Sequence, residues 1–381
     1  MSAKPITIVG GGLAGLTLGI GLRQRGVPVM IWESGRYPRH RVCGEFISGS
    51  GQETLARLGL RDKMIQAGAI TANTAMFLSG SASSHARTLP KPALCLSRFT
   101  LDALLANIFR QLGGDLHENE RWRENNYTEA VIRANGRRTQ PTSNGWHWYG
   151  LKVHARNFPL QADLEMHIIK NGYVNLTKLS NNDIDIYSLF HHSANKTDST
   201  IRGAVGTLRP AIPAKVGREG QTQLGFPTAP RNELPRGWQE ALGENDRSNL
   251  CDRLLKASID QTSSCSVAAL SLHPQRAANL SELCIGDALT MTPPVTGNGM
   301  SMAFESAELA IEPLVSYSLG KFDWTHARQA VANACDRVFS SRLAWARWLH
   351  WMMFSPIFKG PVAGTVLRSN WLWRTMFTHT R

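Results

Sequence analysis

Apolar and polar positions divide the 381-residue chain into a mixed helix-and-strand beginning, a central run of alternating strands and a helical end. The β-branched run Ile6–Val9 enters a glycine turn. Apolar positions from Leu16 to Leu22 then follow a helical pattern that Gly26 stops, and a second strand, Val29–Glu33, comes after it. A loop over 34–51 leads into a predicted helix, Gln52–Leu58, closed by Gly59. Next come a loosely alternating strand, Ile70–Leu78, turns over Ser79–Pro92, a returning strand, Ala93–Ser97, and a helix, Leu101–Leu112, ended by Gly113 and Gly114. The stretch Asp115 to Asn135 is polar and shows a strand pattern only at Ala130-Val131-Ile132. Four alternating runs, Trp146–His154, Leu164–Ile169, Gly172–Leu179 and Ile184–Phe190, predict a β-meander. Thr207–Asn249 reads as loop with a short helix near Trp238. A helix Leu250–Ser258, a strand Ser266–His273, a strand over 283–286 and a helix Met300–Leu314 complete the pattern.

The first glycine turn carries chemistry. Gly10 permits the sharp bend, Gly12 lets backbone approach a pyrophosphate and Gly15 lets helix and strand pack closely, so phosphates meet the free N–H groups of Leu13 and Ala14. Glu33 ends the second strand eighteen residues after Gly15, where a carboxylate accepts hydrogen bonds from ribose hydroxyls. These features suit the ADP part of either NAD or FAD. A second motif, Leu283-Cys284-Ile285-Gly286-Asp287, followed by Pro293-Pro294-Val295-Thr296-Gly297-Asn298-Gly299-Met300, decides for FAD. Asp287 at the strand tip can hold a ribityl hydroxyl, and the N–H groups around Gly299 and Met300 can stabilise negative charge on a flavin's pyrimidine edge.

The six cysteines form no CxxC pair and no leader-like segment precedes the first strand, which predicts reduced thiols, no metal site and a cytoplasmic protein. The net charge of +13 is spread along the chain rather than gathered in one run, so nucleic acid is not the expected partner. The end is different. After Asp336 there is no acid, and Arg337, Arg342, Arg347, Lys359, Arg368, Arg374 and Arg381 alternate with Trp345, Trp348, Trp351, Phe354, Phe358, Trp371, Trp373 and Phe377. Charges interrupt every apolar stretch before it reaches the roughly 20 residues of a membrane span. Such a tail either packs on the body or makes peripheral contact with a membrane interface.

Taken with Arg41-Val42-Cys43-Gly44-Glu45 and Ser97-Arg98-Phe99-Thr100-Leu101-Asp102, the two glycine motifs give the chain a family resemblance. It resembles the FAD-dependent oxidoreductases of the para-hydroxybenzoate hydroxylase fold, which include aromatic hydroxylases, flavin-dependent halogenases and geranylgeranyl reductases. The resemblance implies an α/β protein: a Rossmann-like FAD-binding domain from 1–78, 98–145 and 276–318, an inserted antiparallel β-sheet substrate domain from 79–97 and 146–275, and a helical C-terminal region over 319–381. It implies that Arg98 contacts the cofactor, that Cys43 and Gly44 lie beside the isoalloxazine, and that Arg36 and Arg41 serve on the same loop. NADPH or NADH is the electron donor it suggests, although Asn135-Gly136 stands where the family usually has Asp-Gly.

The implied activity is that of a monooxygenase acting on a lipophilic aromatic or polyketide-like molecule through a flavin hydroperoxide. Lys152, His154, Tyr173 and Asn175 are the candidate substrate contacts. A saturase of prenyl or polyene double bonds, with Cys43 or Glu45 as proton source, is the main alternative. A halogenase is another, although the paired Trp146 and Trp148 are not followed by the Ile-Pro of the halogenase motif. A non-enzymatic flavin-binding protein that docks on membranes is the third.

Overall fold

The computed structural model describes residues 3–79, 82–123, 128–136, 146–169, 171–193, 249–270, 275–355 and 368–380. Its elements in order begin with β1 (Ile6–Val9), α1 (Leu13–Arg23), β2 (Val29–Glu33), β3 (Phe46–Ile47), α2 (Ser50–Arg57), α3 (Arg61–Gln66) and β4 (Ile70–Ser79). They continue with β5 (Ala82–Ser83), β6 (Arg87–Cys95), α4 (Arg98–Gln111), β7 (Asp115–Glu118), β8 (Val131–Arg133) and β9 (Trp146–Arg156). Then come β10 (Leu164–Ile169), β11 (Gly172–Lys178), β12 (Ile184–Ser193), α5 (Asn249–Lys256), β13 (Ser258–Leu270), β14 (Leu283–Cys284), α6 (Gly299–Ser318), α7 (Trp324–Phe354) and α8 (Asn370–His379).

Two sheets share these strands. The first is parallel throughout, in the order β14-β8-β1-β2-β7. Its central strands β1 and β8 are largely apolar and mostly buried, as parallel strands between helices are. Ile8, Ile31 and Ile132 meet Leu16 and Ile20 of α1, Leu105 and Phe109 of α4, and Phe304 and Ile311 of α6 in one core. The second sheet runs β13-β9-β12-β11-β10-β4-β6-β3, with β5 beside β4.

Several expectations are corrected. The strand expected at Ile70–Leu78 forms, but as β4 it belongs to the second sheet rather than to the nucleotide half. It pairs parallel with β10, so that sheet is mixed and not wholly antiparallel. Ser79–Pro92, expected as turns, contains β5 and most of β6. Asp115–Glu118 is an edge strand despite its polarity, and β13 begins at Ser258 rather than Ser266. The expected loop and helix over 207–248 lie outside the described residues.

Cross-strand register puts two rows of side chains on the face of the second sheet that looks toward the nucleotide domain. One row is Arg87, Ala75, Leu164, Thr177, Asp185, His154 and Asp260. The next is Phe77, Met166, Asn175, Tyr187, Lys152 and Cys265. The opposite face, with Val153, Val174, Leu176 and Ile186, is covered by Leu250 and Leu254 of α5. Alternation thus separates a back that is apolar apart from Glu165 and His167 from a front that grades from apolar to charged.

The C-terminal region folds back over this front. In α7 the buried positions Ala327, Val331, Cys335, Phe339, Leu343, Ala346, Leu349 and Met353 recur every three or four residues, the stripe of a helix packed along one side. In α8, Phe377 is buried and Trp373 meets Phe77 edge to face at 5.2 Å. One face of the tail therefore packs on the body, while Trp348, Trp351 and Trp371 stay exposed. Among the described residues no helix is long and apolar enough to cross a membrane.

Candidate FAD and substrate site

The three N-terminal glycines occupy sterically distinct positions. A Cβ on Gly10, whose φ is +115°, would collide with the Ala134 carbonyl, and one on Gly15 would collide with the Gly10 carbonyl. A Cβ on Gly12 would meet nothing within 4 Å, and the same holds at Gly299. Both open positions start helices whose first turns carry no side-chain cap, with Leu13 and Ala14 following one and Met300 the other. The two loops touch, because a Cβ on Gly286 would sit 2.8 Å from Ala14 Cβ. Asp287 is exposed at the tip of β14, followed by the turn Pro294–Thr296 and left-handed Gly297. Asn298 donates its amide to the Thr380 carbonyl at 2.7 Å, and its buried Oδ1 has no partner among the described residues. Two open glycine cradles, two uncapped helix starts and an orphaned acceptor fit an extended dinucleotide.

Glu33 is more occupied than its motif implies. It accepts from the Gly11 amide at 2.9 Å, the Gly35 amide at 2.8 Å, Arg39 at 2.6 Å and Arg41 at 3.4 Å. Burial opposes its ionisation, but the two guanidinium groups and the Gly35 amide overcome that and hold its pKa below the usual value. A ribose hydroxyl would share this carboxylate with Arg39. Arg41 also reaches Asp102 at 3.0 Å, and buried Arg98 grips Asp102 through two bonds of 2.7 and 2.8 Å. The arginines thus tie the loop to α4 as well as facing the cradle. Arg36 is exposed on the same loop.

Cys43 to Phe46 cross the front of the second sheet. Thr177 Oγ1 donates to the Gly44 carbonyl at 2.9 Å, which anchors the crossing at mid-sheet. Glu45 follows in a left-handed conformation, φ 53°, and is fully buried. Its carboxylate accepts from Lys152 Nζ at 2.7 Å and from the Arg98 amide at 2.8 Å, and it pairs with His154 Nε2 at 2.7 Å. Burial alone would raise the Glu45 pKa, yet His154 and Lys152 bring it below the ordinary value. Asp185 lies 3.8 Å from Lys152 and 3.7 Å from His154. It is completely buried, and desolvation plus the Glu45 charge push its pKa well above the carboxylate range. Two buried carboxyls, shifted in opposite directions, therefore share one ammonium. His40, on the open side of the group, is pushed down to about 4 by burial and by Lys152. Burial pushes the Cys43 thiol up, partly offset by Arg98.

Phe46 turns the other way. With Val295 and Thr296 of the second glycine motif it lines an apolar cavity of about 110 Å³. Asn175 and Thr177 form part of the floor, and Leu349, Met353, Trp373 and Phe377 close it from α7 and α8. The four candidate substrate residues are thereby divided. Asn175 faces this cavity, Tyr173 is wholly buried near Tyr187, and Lys152 and His154 belong to the Glu45 group on the polar side. Sequence reasoning did not single out Asp185, Thr177, Phe46 or Arg87. The signal for Asp185 was an acid set between Ile184 and Ile186 inside a strand; the others needed the register.

Comparison with known proteins agrees with this geometry. Residues 3–144 match the FAD binding domain family model. The conditioned medium factor receptor 1 of Dictyostelium discoideum is 25% identical over 130 residues, which are 31% of this chain and 26% of that protein, so the chain spans about a quarter of that relative. Over the whole length the fold is similar to the flavin-dependent brominase Bmp2, with TM-score 0.71, 16% identity, and 100% and 93% of the two chains covered. It is also similar to P. aeruginosa PqsL in complex with 2-aminobenzoylacetate, at 0.66 and 12%, with 99% and 100% covered. The halogenase PltM matches at 0.66 and 15%, with 92% and 77% covered. Residues 3–144 thus match an FAD binding domain, and over its whole length the chain has the fold shared by the brominase Bmp2, PqsL and PltM.

Proposed function

We propose that the protein is an FAD-dependent monooxygenase that hydroxylates a lipophilic small molecule held between the mixed sheet and the C-terminal helices. The observation that carries this reading is the apolar cavity meeting the flavin loop at Phe46, Val295 and Thr296, while the ionised groups beside that loop face the other way. When bound, the flavin supplies the oxygen-transfer chemistry; the chain has to hold the substrate, orient it and keep water out. Phe46 and the α7 and α8 side chains exclude water, and Asn175 offers an amide for orientation.

The alternatives fit less well. Glu45 is held ionised between Lys152 and His154, which removes it as the acid a saturase would need. Trp148 packs on His350 and Phe354 of α7, so it serves the fold rather than a halogenase motif. NADPH or NADH remains the proposed reductant, and Asn135, which accepts from Arg133 at 3.2 Å, takes the place of the usual acid. The exposed tryptophans and arginines of α7 and α8 support a further part of the reading, peripheral contact with an anionic membrane.

Photoreducing the FAD-loaded protein and adding isotopically labelled dioxygen with a panel of lipophilic phenols and polyenes tests the reaction. Product carrying one labelled oxygen atom is expected. A product with two added hydrogens and no label would make the protein a saturase, and a product that requires bromide or chloride would make it a halogenase.

A further inference from the structure

Resting on the reading of the apolar cavity as the substrate site, we propose that its occupant is a small uncharged molecule whose polar group, a hydroxyl or a carboxamide, both donates and accepts a hydrogen bond, and that Asn175 reads that group. Asn175 stands on β11 in the middle of the second sheet, opposite Met166 on β10 and Tyr187 on β12. It is only 6% exposed. Among the described residues nothing hydrogen-bonds its side-chain amide, and the amide atoms are not sealed off, so they open on the cavity that Asn175 lines. Whichever way the amide is turned, it presents N–H donors on one side and a carbonyl acceptor on the other. A ligand that answers only one of them leaves the other buried and unpaired, which costs affinity.

The other polar side chains around the cavity are committed. Thr177 Oγ1 donates to the Gly44 carbonyl at 2.9 Å, Thr296 Oγ1 to the Pro293 carbonyl at 3.2 Å and Thr380 Oγ1 to the Met376 carbonyl at 2.8 Å. Glu165 turns to the α5 side, where Arg253 and His167 hold it at 3.0 Å each. Arg87 is engaged, with the Trp373 ring 6.0 Å away among its neighbours. The Trp373 Nε1–H is unpaired but fully enclosed. A charged occupant would therefore give up its hydration without meeting a free counter-charge, whereas an uncharged one needs only to satisfy Asn175.

The register also places that group. Asn175 is two residues from Thr177 on one strand, about 7 Å along the backbone. It pairs with Tyr187, whose ring lies 3.9 Å from where a Cβ on Gly44 would stand. Thr177 and Tyr187 both meet Gly44, so the polar group is held beside the flavin loop, while the apolar remainder rests on neighbours of the same row such as Met166 and Phe77. The cavity volume, about 110 Å³, is of the order of the roughly 150 Å³ that holds benzene, so one ring or a short chain fills it.

The test is titration calorimetry of the FAD-loaded protein with four para-substituted toluenes. 4-Methylphenol and 4-methylbenzamide donate and accept, 4-methylanisole only accepts, and 4-methylbenzoate is charged. The phenol or the amide should bind about tenfold or more tighter than the ether, with the benzoate weakest, and the tighter of the two identifies the group. Asn175→Leu should bring that ligand to within about twofold of the ether, and Asn175→Ala reads the same ratio if the first variant does not fold. Equal binding of phenol, amide and ether by the wild type, or a preference that survives both substitutions, would overturn the role of Asn175. Tightest binding by the benzoate would overturn the uncharged class. Met166→Trp, which fills the cavity, keeps the two readings apart. If it abolishes binding although neither donor was preferred, only the role of Asn175 fails. If binding survives it undiminished, or none of the four binds the wild type, the cavity is not the site and the substrate-site reading fails as well.

Discussion

Glu165 is a buried carboxylate on the α5 side of the second sheet that stays ionised because its neighbours are built for it. Burial works against the charge, and His167, Arg253 and the Gln161 amide overcome it and bring the pKa from 4.5 down to about 2. A folded-state pKa below the unfolded one contributes stability that is present above about 4.5 and is lost as the pH falls toward about 2. The difference corresponds to about 3 kcal/mol at neutral pH. Glu165→Gln should therefore lower the urea-unfolding free energy by about that amount at pH 7, with the gap between variant and wild type closing as the pH drops through that window. A gap independent of pH would show that the cost is packing and not charge. The same scale shows what residues alone reveal. Lys152 and His154 sit two apart on one strand, so their common face was legible, but Glu45 joins them from a loop more than 100 residues away. The candidate acid Glu45 and two of the four candidate substrate contacts, Lys152 and His154, therefore turn out to be one ion-paired group.

Elements were legible where local chemistry dictates them. The glycine turn was readable because each glycine answers a separate steric demand, and those demands predict different failures. At Gly12 the backbone is extended, φ −83° and ψ −171°, and open space surrounds the Cβ direction. Gly12→Val should keep the circular dichroism spectrum and melting temperature yet lose FAD affinity on the order of 100-fold, about 2.7 kcal/mol. Gly15→Val should drive a side chain into the Gly10 carbonyl and lose stability by about 3 kcal/mol, taking flavin with it. Full flavin retention by Gly12→Val, measured from the absorbance of the purified protein, would remove that loop from the cofactor site. Strands were harder. In β6, Pro90 and Pro92 lie where the pairing with β4 slips between Thr74–Thr88 and Ala72–Ala93, so prolines that read as turns occupy a bulged part of a strand. β7 and the start of β13 lie at sheet edges, where polar residues are favoured and alternation fades.

At the scale of the molecule, α7 and α8 have two working faces. Their inner residues close the cavity, and their outer residues, Arg347, Trp348 and Trp351 on one helix and Arg368, Trp371 and Arg374 near or on the other, are exposed. Trp351 and Trp371 are 62% and 72% exposed, an unusual fate for indole unless its surroundings are partly apolar. No acid follows Asp336, so acids of this segment would not repel an anionic leaflet. Each arginine near such a leaflet contributes on the order of 1 kcal/mol, attenuated by salt, and the indoles add interfacial burial. The protein should therefore co-sediment with vesicles containing phosphatidylserine, less so at high salt and not with neutral vesicles. Replacing Trp351 and Trp371 together with Ser should weaken that binding about tenfold or more while leaving the melting temperature unchanged, because neither indole is buried. Truncating the tail would not discriminate, since Phe377 and Met353 are part of the core. If the intact protein ignores anionic vesicles at low salt, the outer face is only a solvated surface and substrate enters from water.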